Sequence, residues 1–275
     1  MLSIFGDPTA LITETGLLNK SSRFVIVEGK TDRQAIWRHV KRLGLSLRCL
    51  DGKANVLKFA KSARERGIDN VIAIVDSNGW SVLGMPAEYS ELNGGVLAVT
   101  QYRDLEMDIL GVTGIEGILA ECLDTTRVDL AEASLGINVA ESILHNAARI
   151  GALRVVNEAH SLGGKVNTLA YRLSQDPFED CSIAMLVELA GLTPEVRNFA
   201  IERSLTYLDT HSPQTLACGH DVSALISRAS GGTFGGGRAV SSKDVERMIR
   251  VAAGREVFDR TSIGVALEQF ALAPS

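Results

Sequence analysis

The chain of 275 residues is 45% hydrophobic and 22% charged with a net charge of -5, enough length and apolar content for one large domain or two modest ones with a real core. That composition excludes a disordered chain, and the acidic balance excludes a protein that coats nucleic acid with its whole surface. No apolar run reaches the roughly 20 residues of a bilayer span, and Asp7 and Glu14 interrupt "MLSIFGDPTALITETG" where a signal peptide would stay apolar, so a soluble, cytoplasmic protein without a membrane partner is expected.

The predicted elements begin with "RFVIVEG", a β-branched, apolar run ending at a glycine, which reads as a buried strand. "TDRQAIWRHVKRLG" follows as a helix with Ala35, Ile36, Val40 and Leu43 on one face, Thr31 or Asp32 as N-cap and Gly44 as terminator. "LSLRCL" reads as a second strand and "DGKANVLKFAKSARERG" as a second helix. "VIAIV" and "GVLAVT" are the third and fourth strands, and "RDLEMDILG" starts a short helix with three acids at alternate positions. From about Gly114 the pattern becomes helical, through "GIEGILAECL", "NVAESILHNAARIGALRVVNEAHSL", "SIAMLVELAG", "TPEVRNFAIERSLTYL", "DVSALISRA", "SSKDVERMIRVAAG" and "TSIGVALEQFAL". The fold class is therefore α/β: a mostly parallel sheet flanked by helices over residues 1–112, then a helical region over 113–275 packed on it. The helical part offers more apolar faces than a small sheet can cover, which makes a homodimer plausible.

The four cysteines, Cys49, Cys122, Cys181 and Cys218, form no CxxC pair and read as reduced, buried thiols. Charge is unevenly distributed: Arg23 to Arg66 holds 12 Lys and Arg against 4 Asp and Glu, whereas Asp69 to Glu132 holds 2 against 12. The basic stretch suits a polyanion and the acidic one suits cations, although solvated helix faces would give the same pattern.

Glu28 ends the first strand with Asp32 four residues on, and Asp76 and Asn78 end the third. If the first and third strands are adjacent, these groups converge at one rim, and hard oxygen ligands suit Mg²⁺ or Mn²⁺. Plainer roles compete: Asp32 and Asp104 are good helix N-caps, Asp76 can start a turn and Lys53 can be a surface lysine. Asp221 in "CGHDVSAL" reads as a cap for the next helix, and His220 beside it as a hydrogen-bonding histidine or an acid–base group. "SGGTFGGGR" fits no phosphate loop and reads as a loop before a helix capped by Ser241.

The pairing of "VEGKTD" with "IVDSN" resembles the Toprim domain of topoisomerases, primases and OLD-type nucleases. "CLDGKANVLKFA", "VTQYRDLEMDIL", "AARIGALRVVNEA" and "CGHDVSALIS" narrow the resemblance to uncharacterised Toprim-like proteins that include the effector nuclease of an antiphage defence system partnered by an ABC-type ATPase. It implies a metal-dependent nuclease acting on RNA, tRNA in that system, or on DNA. Carried over, Glu28 is metal ligand or general base, Asp32 its partner, and Asp76 the first acid of a DxD turn. Asn78 stands at the second acid without its charge, a deficit that Glu106, or Asp104, would make good. Lys53, and Lys30 in "VEGKTD", would contact phosphate. The alternative is a non-catalytic Toprim subunit whose site has decayed at Asn78.

Overall fold

The computed structural model describes residues 7–18, 22–173, 181–232, 234–236 and 239–273. The chain forms two compact units: residues 1–77, 85–101 and 253–275, and residues 78–84 and 102–252. The first is built on a four-stranded parallel sheet of β1 (Phe24–Val27), β2 (Ser46–Cys49), β3 (Val71–Val75) and β4 (Leu97–Val99), in the order β2-β1-β3-β4. Every residue of β1 and β3 is buried, as unbroken apolar runs in a doubly covered parallel sheet should be, whereas β2 at the edge is only half-buried.

Helices α1 (Lys30–Arg42) and α2 (Lys53–Glu65) connect β1 to β2 and β2 to β3. Because β2 and β3 lie on opposite sides of β1, right-handed crossovers put α1 and α2 on opposite faces of the sheet. The strand order thus reverses between β1 and β3, and the crevice outside their carboxyl ends is the usual ligand position of such a sheet. α1 buries Ile36, His39 and Val40. Its N-cap is Gly29 rather than Thr31 or Asp32, since Asp32 sits one turn in and its Oδ2 accepts the Gly29 amide at 2.8 Å. Gly44, with φ +71, follows the helix end as expected.

The second unit is helical: α3 (Leu105–Thr113), α4 (Glu116–Cys122), α5 (Thr125–Leu135), α6 (Val139–His160), α7 (Ile183–Leu189), α8 (Pro194–Thr210), α9 (Gly219–Gly231) and α10 (Ser242–Ala252) are its longer elements. α6 is the central one, capped by Asn138, whose Oδ1 accepts the Glu141 amide at 2.9 Å, and buried along most of its length from Val139 to Val156. α5 has no counterpart among the predicted elements, because it buries none of its residues and so carries no apolar period. α9 starts at Gly219 with Cys218 as N-cap, so Asp221 lies inside the first turn instead of capping it. Part of "SGGTFGGGR" belongs to α9, and residues 233, 237 and 238 of it lie outside the described residues. Ser241 does close the start of α10, its Oγ accepting the Asp244 amide at 3.2 Å.

The division of the chain departs from a single cut at 112/113. α3 groups with the helical unit, and residues from Ala253 on return to the sheet unit. Their hold there is specific. Phe258 is buried and stacks on His39 with ring centroids 3.9 Å apart. Burial holds the His39 pKa below its ordinary value, and its Nε2 faces the Ala253 carbonyl at 3.2 Å. Arg42 pairs with Asp259, the Arg23 guanidinium donates to the carbonyls of Phe270, Ala271 and Ala273, and the Gln101 amide donates to Ser262 Oγ at 3.1 Å. Among the described residues no helix is long and apolar enough to cross a membrane. Phe258→Ala should lower global stability by about 3–5 kcal/mol in denaturant titration; an unchanged midpoint would show that this segment is not part of the sheet unit's core.

Candidate functional site

At the carboxyl ends of the two central strands, local backbone needs position the side chains. Glu28 directly follows β1, and its Oε1 accepts the Asp76 amide, the first beyond β3, at 2.9 Å. Lys53 donates from Nζ to the Asp76 carbonyl and, at 3.4 Å, to that of Ser77. Both backbone groups of Asp76 are therefore held by side chains from neighbouring connections. The Ser77 amide donates to Thr100 Oγ1 at 2.8 Å, which ties the same edge to the end of β4. Lys53 reaches Asp76 because Gly52, at φ +89 and ψ 156, turns the chain into α2 through a conformation a side chain would strain. The Gly52 amide in turn donates to the Glu28 carbonyl at 3.0 Å.

Glu28 is half-buried, and its pKa is raised by desolvation, an effect only partly offset by the Asp76 amide and the Lys53 charge. Asp32 stands near enough to raise it further, but one of its oxygens serves as the Gly29 cap. Lys30, at the first position of α1, is exposed. Glu28, Asp32, Asp76, Lys53 and Lys30 thus belong to the sheet unit, whereas Asn78, Asp104, Glu106 and His220 belong to the helical one. Asn78 is exposed at φ +50, a left-handed conformation that short polar residues such as Asn and Asp tolerate, and its amide donates to the Arg103 carbonyl at 2.8 Å. The turn by itself accounts for a short polar residue there and does not require a carboxylate.

In the helical unit the acids of "YRDLE" have protein partners. Asp104 caps α3, accepting the Met107 amide at 2.9 Å, and also receives the Gly219 amide at 2.8 Å and the Cys218 thiol at 3.0 Å. α9 approaches so closely that a Cβ on Gly219 would stand 2.4 Å from that of Glu106. Glu106 is buried and its Oε1 pairs with Arg250 at 2.7 Å, although desolvation still raises its pKa. Arg250 lies 3.7 Å from Glu246, and Glu246 Oε1 faces His220 Nδ1 at 2.8 Å. In the same unit, fully buried Asp221 pairs with Arg154 at 2.6 Å, and buried Arg103 pairs with Glu158 at 2.6 Å.

Glu246, Arg250, Arg103 and Arg154 were not among the residues picked out from the sequence. Two signals could have found three of them: Glu246 and Arg250 are spaced i, i+4 on one helix, and Arg154 stands inside the apolar run "IGALRVV", where a buried cation needs an acid. Of the cysteines, Cys122, Cys181 and Cys218 are buried and Cys49 is half-buried, and none of the four is in a disulfide among the described residues.

The Glu246 bond, and then the charges of Asp104 and Glu106, raise His220 to about 9 against desolvation. Half-exposed His220 is therefore an imidazolium at neutral pH, and its folded-state pKa lies above the unfolded one. Its contribution to stability is complete below about pH 6.5 and is lost as the pH rises through about 9. His220→Gln should remove a loss of about 1 kcal/mol between pH 6.5 and 9.5, the value expected once solvent screening is allowed for. Melting curves of parent and variant at both pH values test this, and parallel curves would show that the pair contributes nothing. Comparison with protein-family models, curated proteins and solved structures found no match for this chain.

Proposed function

We propose that the sheet unit is a Toprim-like domain and that the protein is a divalent-metal-dependent nuclease, cleaving phosphodiester bonds of RNA, with tRNA the case its sequence resemblance implies, or of DNA. The observation that carries this reading is the Glu28–Asp76 bond: two carboxylate-bearing residues are joined at the carboxyl ends of adjacent central strands, where a doubly wound sheet presents its ligands. Among the described residues no three His, Cys, Asp or Glu side chains come together to hold an ion. The available donor set is therefore one or two carboxylates, which suits Mg²⁺ or Mn²⁺ that keeps several waters and is completed by substrate phosphate. Such an ion would polarise a phosphoryl oxygen and lower the pKa of a bound water. Glu28 would offer it Oε2 while Oε1 stays on the Asp76 amide, and Lys53 would keep the Asp76 backbone from shifting as charge accumulates. The resemblance also supports an ABC-type ATPase as partner and antiphage defence as the setting.

A second reading, a non-catalytic binding or regulatory subunit, draws on a specific observation: Glu28 and Lys53 both spend polar atoms on the Asp76 backbone, and the second acid of the turn is Asn78. Glu28→Gln separates the two, because glutamine keeps an acceptor for the Asp76 amide and loses only the charge. Cleavage of tRNA and single-stranded DNA with Mg²⁺ or Mn²⁺ should fall by at least about a hundredfold with the circular dichroism spectrum unchanged. Full activity in the variant would overturn the nuclease reading. A Mn²⁺ isotherm that requires Glu28 would overturn the decayed-site reading.

A further inference from the structure

The solvent face of α1 carries a continuous set of cations without acids. Lys30, Arg33, Arg38 and Lys41 are all exposed, and at helical spacing they flank Trp37, itself 47% exposed. Among the described residues none of the four takes part in an ion pair; Arg42, at the edge of the set, is the one that pairs, with Asp259 and Glu268. Asp32, the one acid of the helix, lies on the opposite face, bonded to the Gly29 amide. The Lys41 ammonium stands 5.2 Å from the centre of the Trp37 ring.

Each feature has a cost if the face serves only as solvent cover. Like charges one turn apart repel, by a few tenths of a kcal/mol for each pair. A tryptophan left half in water forgoes the burial that makes so large a side chain worthwhile. An acidic protein surface would answer the charges without needing the indole, and an apolar partner would answer the indole without needing four cations. A single-stranded nucleic acid answers both: its phosphates match a line of lysines and arginines, and its unstacked bases match an exposed aromatic ring, whatever the sequence.

We propose that the outer face of α1, with Trp37 as stacking platform and Lys30, Arg33, Arg38 and Lys41 as phosphate contacts, binds single-stranded nucleic acid. The inference deepens the nuclease reading by naming where the substrate strand is held, and it rests on that reading for its biological sense. Binding is measured with the full chain by fluorescence anisotropy of labelled single-stranded RNA and DNA 20-mers in EDTA, where metal-dependent cleavage cannot occur.

The parent should bind, with affinity falling as salt rises. Trp37→Ala should weaken binding at least about fivefold, the lower bound for loss of one stacked base, and Trp37→Phe should stay near the parent. Arg38→Glu and Lys41→Glu should weaken binding and flatten its salt dependence. The exposed positions leave the fold undisturbed, which circular dichroism checks. The proposal is overturned if the parent does not bind, if either Trp37→Ala or the charge reversals bind like the parent, or if anionic phosphatidylserine vesicles are bound through these residues while single strands are not. Loss of binding in Trp37→Ala, with no cleavage by any form of the protein, would keep this surface and remove the nuclease reading. Loss of cleavage in Glu28→Gln, with binding unaffected by Trp37→Ala, would do the reverse.

Discussion

The sheet unit depends on how its two central parallel strands are closed at their carboxyl ends. β1 and β3 are buried on both faces, so a backbone group just beyond the ladder needs a partner close by or is left unsatisfied at a cost. The Asp76 amide finds the Glu28 carboxylate and the Asp76 carbonyl finds the Lys53 ammonium, both delivered by the connections that follow β1 and β2. The side chains best placed for chemistry are thus also those that hold the sheet edge together. Removing Glu28 outright would mix a structural loss with a functional one, and only an isosteric change that keeps the acceptor distinguishes them.

The helical unit organises its charges differently. Instead of carboxylates at strand ends, it buries acids from α3 and α9 against arginines from α6 and α10, with Asp104 holding two helix starts at once. Within this cluster the Arg103 Nε and Nη1, Arg154 Nε and Asp221 Oδ2 atoms are buried without a protein partner. Buried polar atoms in such positions are ordinarily satisfied by ordered water. A buried ion pair of this kind gives little net stability, yet loss of one member strands the other. The cluster therefore constrains how α3, α6, α9 and α10 can pack more than it strengthens the unit.

Several local features were legible because their causes are local. The apolar runs of β1 and β3, the terminator role of Gly44, the cap at Asp104 and the start of α10 at Ser241 each follow from a few adjacent residues. The N-terminal caps of α1 and α9 lie two or three residues before the acids that local pattern favours, since Gly29 and Cys218 cap through backbone geometry and Asp32 and Asp221 act from inside the first turn. α5 buries none of its residues and so leaves no apolar period in the sequence.

The sequence alone determined an α/β chain with a parallel sheet followed by helices, and it marked Glu28, Asp32, Asp76, Asn78 and Glu106 as candidate metal ligands with Asp104 and His220 as accessory candidates. It could do so because strand runs, turn residues and caps act over distances of a few residues. Tertiary structure alone decided that Glu28 bonds the Asp76 amide, that Glu106 pairs with Arg250 from a helix well over a hundred positions later in the chain, and that the C-terminal segment packs through Phe258 on His39. Which acid meets which base depends on how the chain crosses over and returns, and no local pattern encodes a partner so distant in sequence.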